Sequence, residues 1–265
     1  MKQFLFIIAS LLLFASCTKE IHLDLDNKSG NIVIEGNVTN QPGPYYVRIT
    51  KSVAFTETNQ YPPITNAIVI ISDNTGQIDT LRYVADGNYK TTRLVSMPGR
   101  TYNLRILAQG LIYTAKSTMP QTVALDSLVQ RSFSIGGKVN YNILPIFTDP
   151  APLGNRYLFI LSVNARKDKT LQAFSDNINN GVVNQRELMT PSDDDKKVNI
   201  NDMVHIEMQC IDQDIYSYYT GLIQISGSSG PGGSVTPANP PSNISNGALG
   251  YFSAHTSVIR NIVIK

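Results

Sequence analysis

The chain contains no tryptophan, two cysteines and three histidines in 265 residues, and each scarcity removes a class of chemistry. Cys17 and Cys210 are the whole cysteine complement, so once Cys17 is modified no internal disulfide can form. His22, His205 and His255 are scattered, without the spacing of a zinc site. Charged residues amount to 16% and the formal net charge is +2, which leaves no basic field for nucleic acid and no acidic one for a cationic partner. Beyond the first fourteen residues there is no apolar run near the roughly 20 residues that a membrane-crossing helix needs.

What the chain does have begins at its front. Lys2 precedes an apolar run from Phe4 to Phe14, and the small residues Ala15 and Ser16 stand before Cys17. A basic start, a short apolar stretch and a small-residue cut site read as a secretory signal over residues 1–16. Phe14-Ala15-Ser16-Cys17 resembles the bacterial lipobox, with Phe14 in place of the usual leucine, so Cys17 is the expected lipidation site. Several acyl chains, each buried CH₂ contributing about 0.8 kcal/mol, would make that attachment effectively permanent. Residues 17–30 then read as a tether. Its Lys19-Glu20 resembles the signal that sends some lipoproteins to the cell surface, and Ile21, Leu23 and Leu25 alternate with polar residues as in an edge strand.

From residue 31 to 120 strands and turns alternate about every ten residues. Tyr102, Leu104 and Ile106 fall on one face of a strand, with Asn103 and Arg105 on the other. Gln41-Pro42-Gly43-Pro44, Asp73-Asn74-Thr75-Gly76, Asp86-Gly87 and Gln109-Gly110 supply turns. Seven short strands suggest an immunoglobulin-like or transthyretin-like β-sandwich. Ile68-Val69-Ile70-Ile71 does not alternate, which suits a strand covered on both faces.

Residues 121–265 predict a second β-rich domain, with strands at 125–128, 140–147, 156–163, 203–210 and 257–264. The polar segment 168–197, ending in Asp193-Asp194-Asp195-Lys196-Lys197, reads as a solvated loop. Asp149-Pro150-Ala151-Pro152 reads as a rigid turn. One amphipathic helix is expected near 214–226, from the stripe Ile215, Tyr218, Tyr219, Leu222 and Ile223, with Asp212 or Asp214 at its start. A Gly/Ser/Pro loop follows at 227–247. The fold class is therefore mainly β: a sandwich followed by a β-rich domain with a single helix.

Catalytic patterns are absent from the sequence. Cys210 is in phase with Val204, Ile206 and Met208 and reads as a small buried hydrophobe, while His205 leaves the opposite face of that strand. Gly227-Ser228-Ser229-Gly230-Pro231 follows a helix, so it is not a nucleophile elbow, and it lacks the Lys-Ser/Thr ending of a phosphate loop. Asp24-Leu25-Asp26 and Asp212-Gln213-Asp214 lack the remaining ligands and glycine of a calcium loop. His205 and His255 could meet across neighbouring strands, and paired carboxylates could meet through the fold. Tyr216, Tyr218, Tyr219, Tyr251 and Phe252 could offer aromatic surface to a ligand, and core packing is the reading for most of them.

Three segments carry a wider likeness. They are Cys17-Thr18-Lys19-Glu20-Ile21-His22-Leu23-Asp24-Leu25, the stretch from Ile34-Glu35-Gly36-Asn37 to Arg48-Ile49, and Asn239-Pro240-Pro241-Ser242-Asn243-Ile244 with Gly247-Ala248-Leu249-Gly250-Tyr251-Phe252. Together they resemble the domain-of-unknown-function 4249 lipoproteins of Bacteroidota outer membranes. The resemblance implies lipid anchoring at the outer membrane, often beside TonB-dependent receptors, and it carries no catalytic residue across. The expectation is a non-enzymatic accessory lipoprotein, surface-exposed or periplasmic, that uses no cofactor or metal and binds a TonB-dependent receptor or its cargo. The alternatives are a surface hydrolase acting on glycan or peptide, or an envelope scaffold.

Overall fold

The computed structural model describes residues 30–54, 57–58, 60–176, 180–191, 196–227 and 239–265. Cys17, the tether through residue 29 and most of the loop at 227–247 lie outside them. The first strands are β1 (Ile32–Thr39), β2 (Tyr46–Lys51), β3 (Ile68–Asp73), β4 (Ile78–Thr80), β5 (Arg82–Tyr83), β6 (Asn88–Lys90), β7 (Thr101–Ala108) and β8 (Leu111–Thr118). There follow β9 (Ser127–Ile135), β10 (Lys138–Ile146), β11 (Arg156–Val163), β12 (Thr170–Ser175) and β13 (Met203–Cys210). Helix α1 (Gln213–Gly227) and the long β14 (Leu249–Val263) complete the order. The protein is mainly β, with several sheets and one helix among the described residues.

Alternation decides which faces are buried. In β7, Tyr102, Leu104 and Ile106 are inside while Asn103 and Arg105 are exposed. They join Val69 and Ile71 of β3 and face Ile34, Val47 and Ile49 of the opposite sheet, so the sheet order β4-β3-β7-β8 packs across one core against β14-β1-β2-β6-β5. That is a sandwich, and its core also takes Ile244, Ala248, Phe252 and Ala254 from the far end of the chain. The unalternating Ile68–Ile71 is buried on one face only. Val69 and Ile71 are fully inside, whereas Ile68 is 51% exposed, because nothing covers that side of an outer sheet among the described residues.

The strand covered on both faces is β11. Tyr157, Phe159 and Leu161 enter a second core with Ile143, Phe147, Phe174, Ile206 and Met208. Leu158 and Ile160 point the other way, into a third cluster with Ile215, Tyr216 and Tyr219 of α1. Such two-sided cover is why Arg156–Val163 reads as a nearly continuous apolar run. Its neighbour β12 lies within the segment expected to be a loop. It is an edge strand paired only with β11, with Phe174 its one buried side chain, so little alternation marks it. The strand expected at 125–128 instead starts at Ser127 and extends to Ile135 as half of the β9–β10 hairpin.

Strand β14 is the join. Its first half runs parallel to β1, from Val33↔Leu249 to Thr39↔His255, and its second half runs antiparallel to β13, from Cys210↔Thr256 to Met203↔Val263. The eight-stranded sheet thus has the order β12-β11-β13-β14-β1-β2-β6-β5. Gly250 makes the parallel register possible. It sits at φ +91°, and a Cβ there would lie 2.1 Å from the carbonyl oxygen of Ile34. Asp212 begins α1 as its N-cap, with Oδ1 accepting the Ile215 N–H at 3.0 Å. Its Oδ2 accepts the Ser117 hydroxyl at 2.6 Å and the Thr118 N–H at 3.1 Å, which ties the helix to the sandwich.

Three stability changes follow. Gly250→Ala is expected to cost more than about 3 kcal/mol in urea unfolding, from backbone strain and collision together. Gly110→Ala, with φ +79° but open space around it, is expected to cost about 1–2 kcal/mol. Asp212→Ala is expected to lose about 1–3 kcal/mol, since both the cap and the tie to β8 go.

Candidate functional site

The histidine pair weighed in the sequence does not form. His205 lies opposite Asn261 on β14, six positions from His255, which is about 20 Å at some 3.3 Å per residue. His205 Nδ1 is 2.7 Å from Asn261 Oδ1. His255 is buried, with its Nδ1 2.9 Å from the Ser253 hydroxyl. Residues i and i+2 of a strand share a face, which brings Ser253 and His255 together. It is no nucleophile–base pair open to substrate, since Ser253 is 1% exposed and His255 4%. Cys210 is buried as expected, and that burial pushes its thiol up.

The tyrosines of α1 are also spoken for. Tyr218, Tyr219 and Tyr251 stack on one another with centroids 4.8–5.5 Å apart. Burial raises both helix phenols, Tyr218 to about 12. Phe252 is wholly inside the first core. Asp212 serves the helix, and no group of three His, Cys, Asp or Glu among the described residues could hold a metal ion.

What the fold does create is a cavity at the end of the second core, with a volume of about 270 Å³. Phe147 and Asp149 reach it from the segment after β10, Tyr157 from β11, Phe174 and Asp176 from β12 and its end, and Arg186 from the segment that follows. The rings form one wall: Phe147 and Tyr157 are 4.9 Å apart, and Phe159 bridges Phe147 and Phe174 at 6.0 and 5.2 Å. The Arg186 guanidinium lies 3.9 Å over the Phe174 ring, a cation–π contact at the rim.

Two carboxylates enter this apolar setting, each 3% exposed. Asp149 accepts the Tyr157 hydroxyl on Oδ1 and the Gly181 N–H at 3.2 Å on Oδ2. Asp176 Oδ2 accepts the N–H groups of Gly154 at 2.5 Å and Asn155 at 2.8 Å. Neither is in an ion pair among the described residues. Burial, followed by the Asp149 bond and charge, raises the Tyr157 phenol well above its ordinary value, so it stays a neutral donor. Asn184 is locked by its own bonds to Pro145 and Arg186. The sequence pointed to none of these groups as a site: Asp149 read as part of a turn, and Asp176 and Arg186 fell in a polar stretch without a motif.

A wider depression of about 810 Å³ lies on the outer face of the four-stranded sheet, beside Ser242–Ser245. Its Asn103, Arg105, Thr114 and Lys116 are exposed side chains of a sheet surface. The first cavity, lined by the buried Asp149 and Asp176, is the stronger candidate.

His255 makes the fold sensitive to mild acid. Burial depresses it from 6.5 to about 4, with the Glu207 charge opposing. The unfolded chain takes up its proton first, so stability is fully present above about pH 6.5 and falls as pH drops towards 4. The expected loss is about 3 kcal/mol over that window, read from urea midpoints. His255→Asn should flatten it. Asp73 and Asp79 act lower: hydrogen bonds outweigh burial and hold both below 3.8, so their contribution is lost only beneath that value.

No curated protein matches the chain. Among solved structures, a two-fibronectin-type-III-domain segment from chicken tenascin aligns over 69% of this chain and 91% of its own, at 7% identity and a TM-score of 0.24, too low to support an argument. The family model described as "Domain of unknown function (DUF4249)" matches residues 18–260, most of the chain, and the chain belongs to that family.

Proposed function

We propose that the protein is a non-enzymatic, lipid-anchored binding protein of the outer membrane that serves a TonB-dependent receptor or its cargo. The aromatic-walled cavity carries this reading. Its two carboxylates are held as acceptors by main-chain N–H groups and a phenol, an arrangement that suits holding a ligand. The lipobox at Cys17 supports the location, and the family supports neither an activity nor a partner.

One observation favours a hydrolase as the second reading, namely that Asp149 and Asp176 line a single cavity. Glycoside cleavage needs one carboxyl group to donate a proton, and neither makes a bond as donor. An envelope scaffold would need no cavity at all.

A fatty-acid probe fed to cells should label the protein, and Cys17→Ala should abolish the label and release the body from the membrane fraction. A receptor should co-purify from gently solubilised outer membranes. An unlabelled wild-type protein, or one repeatedly recovered alone, contradicts the proposal. A screen on glycans and peptides should find no turnover that Asp149→Asn or Asp176→Asn removes.

A further inference from the structure

The charged groups of the cavity limit what it can hold. Asp176 is 97% buried by its 3% exposure, its Oδ2 is taken by two main-chain N–H groups, and no donor among the described residues is bonded to Oδ1. A carboxylate oxygen carries two acceptor sites, so Asp176, which lines the cavity, keeps an acceptor oxygen without a protein partner among the described residues. Phe147 and Phe174 offer apolar wall beside it. Arg186 stands exposed at the mouth, its plane on Phe174 and its N–H groups without an ion-pair partner among the described residues. A volume of about 270 Å³ is at the small end of ligand sites, which excludes a drug-sized molecule and admits a short chain.

We propose that the cavity binds a small zwitterion: a primary ammonium on Asp176, a short apolar stem against Phe147 and Phe174, and an anionic group on Arg186. This deepens the binding reading above and rests on it. Acceptor, ring wall and guanidinium then each have a counterpart, and a buried carboxylate gains the cation it otherwise lacks. The same chemistry is offered by a free ω-amino acid and by the carboxy-terminal lysine of a peptide.

Isothermal titration of the full lipoprotein in detergent tests it with 5-aminopentanoate, pentylamine and pentanoate. The amino acid should bind at one site and about tenfold or more tighter than either half-molecule. Asp176→Asn should weaken both amines by about tenfold or more, and Arg186→Gln should narrow the advantage of 5-aminopentanoate over pentylamine. Gln185→Trp, at an exposed position lining the cavity, should block entry without touching the Asp176 bonds, which covers the case in which Asp176→Asn unfolds. Acetyl-glycyl-lysine and its carboxy-terminal amide separate the two sources. Tight binding of the free-acid peptide alone assigns a protein terminus, and binding of 5-aminopentanoate without the peptide assigns a small metabolite. Absence of saturable binding, equal binding of pentanoate, or unchanged binding in folded Asp176→Asn or Gln185→Trp overturns the proposal. Those results would leave fatty-acid labelling intact, so the ligand class and the anchored-binding reading fail separately.

Discussion

A strand hydrogen-bonded to two different neighbours along its two halves is the constraint from which the molecule is built. β14 leaves β1 at the point where it meets β13, so the outer edge of its first half has no strand beside it. Buried main-chain groups left there would each be costly. Side chains fill the gap. Asn243 accepts the Phe252 N–H at 3.0 Å and donates to the Phe252 carbonyl at 2.8 Å, as a neighbouring strand would. The Ser117 hydroxyl accepts the Ala254 N–H at 2.8 Å and donates its own hydrogen bond to Asp212. One line of hydrogen bonds therefore connects the closing strand, the sandwich and the helix cap.

That arrangement explains why the two cores share a sheet. Phe252 and Ala254 belong to the sandwich core, and Val258, Ile262 and Ile264 pack on the second. α1 then covers the reverse face of β11, where Leu158, Ile211 and Ile215 meet. β11 is thus covered on both faces, and the cavity lies beside its first residues. Tyr157 is aimed into it by the same alternation that sends Leu158 towards the helix.

Much of the secondary structure was legible. β7 and β8 alternate cleanly around Gln109-Gly110, and the five-residue stripe from Ile215 marks α1. The misses share a cause. β12 carries one buried side chain, and the outer part of β9 and β10 is exposed on both faces, so neither shows the period that a one-sided core imposes. Ile68–Ile71 failed in the opposite sense, since apolar residues on an exposed face look like burial in one dimension.

Local chemistry along the chain was enough to settle the strand-and-turn texture, the helix α1 with an aspartate at its start, and the buried setting of Cys210. Those depend on neighbours within a few residues, where side-chain period and capping bonds act. The partner of the last strand, the closeness of Gly250 to Ile34 and the meeting of Asp149, Asp176 and Arg186 were decided by tertiary structure. Contacts between residues so far apart in sequence leave no periodic trace, because what selects them is the closing of sheets around shared cores.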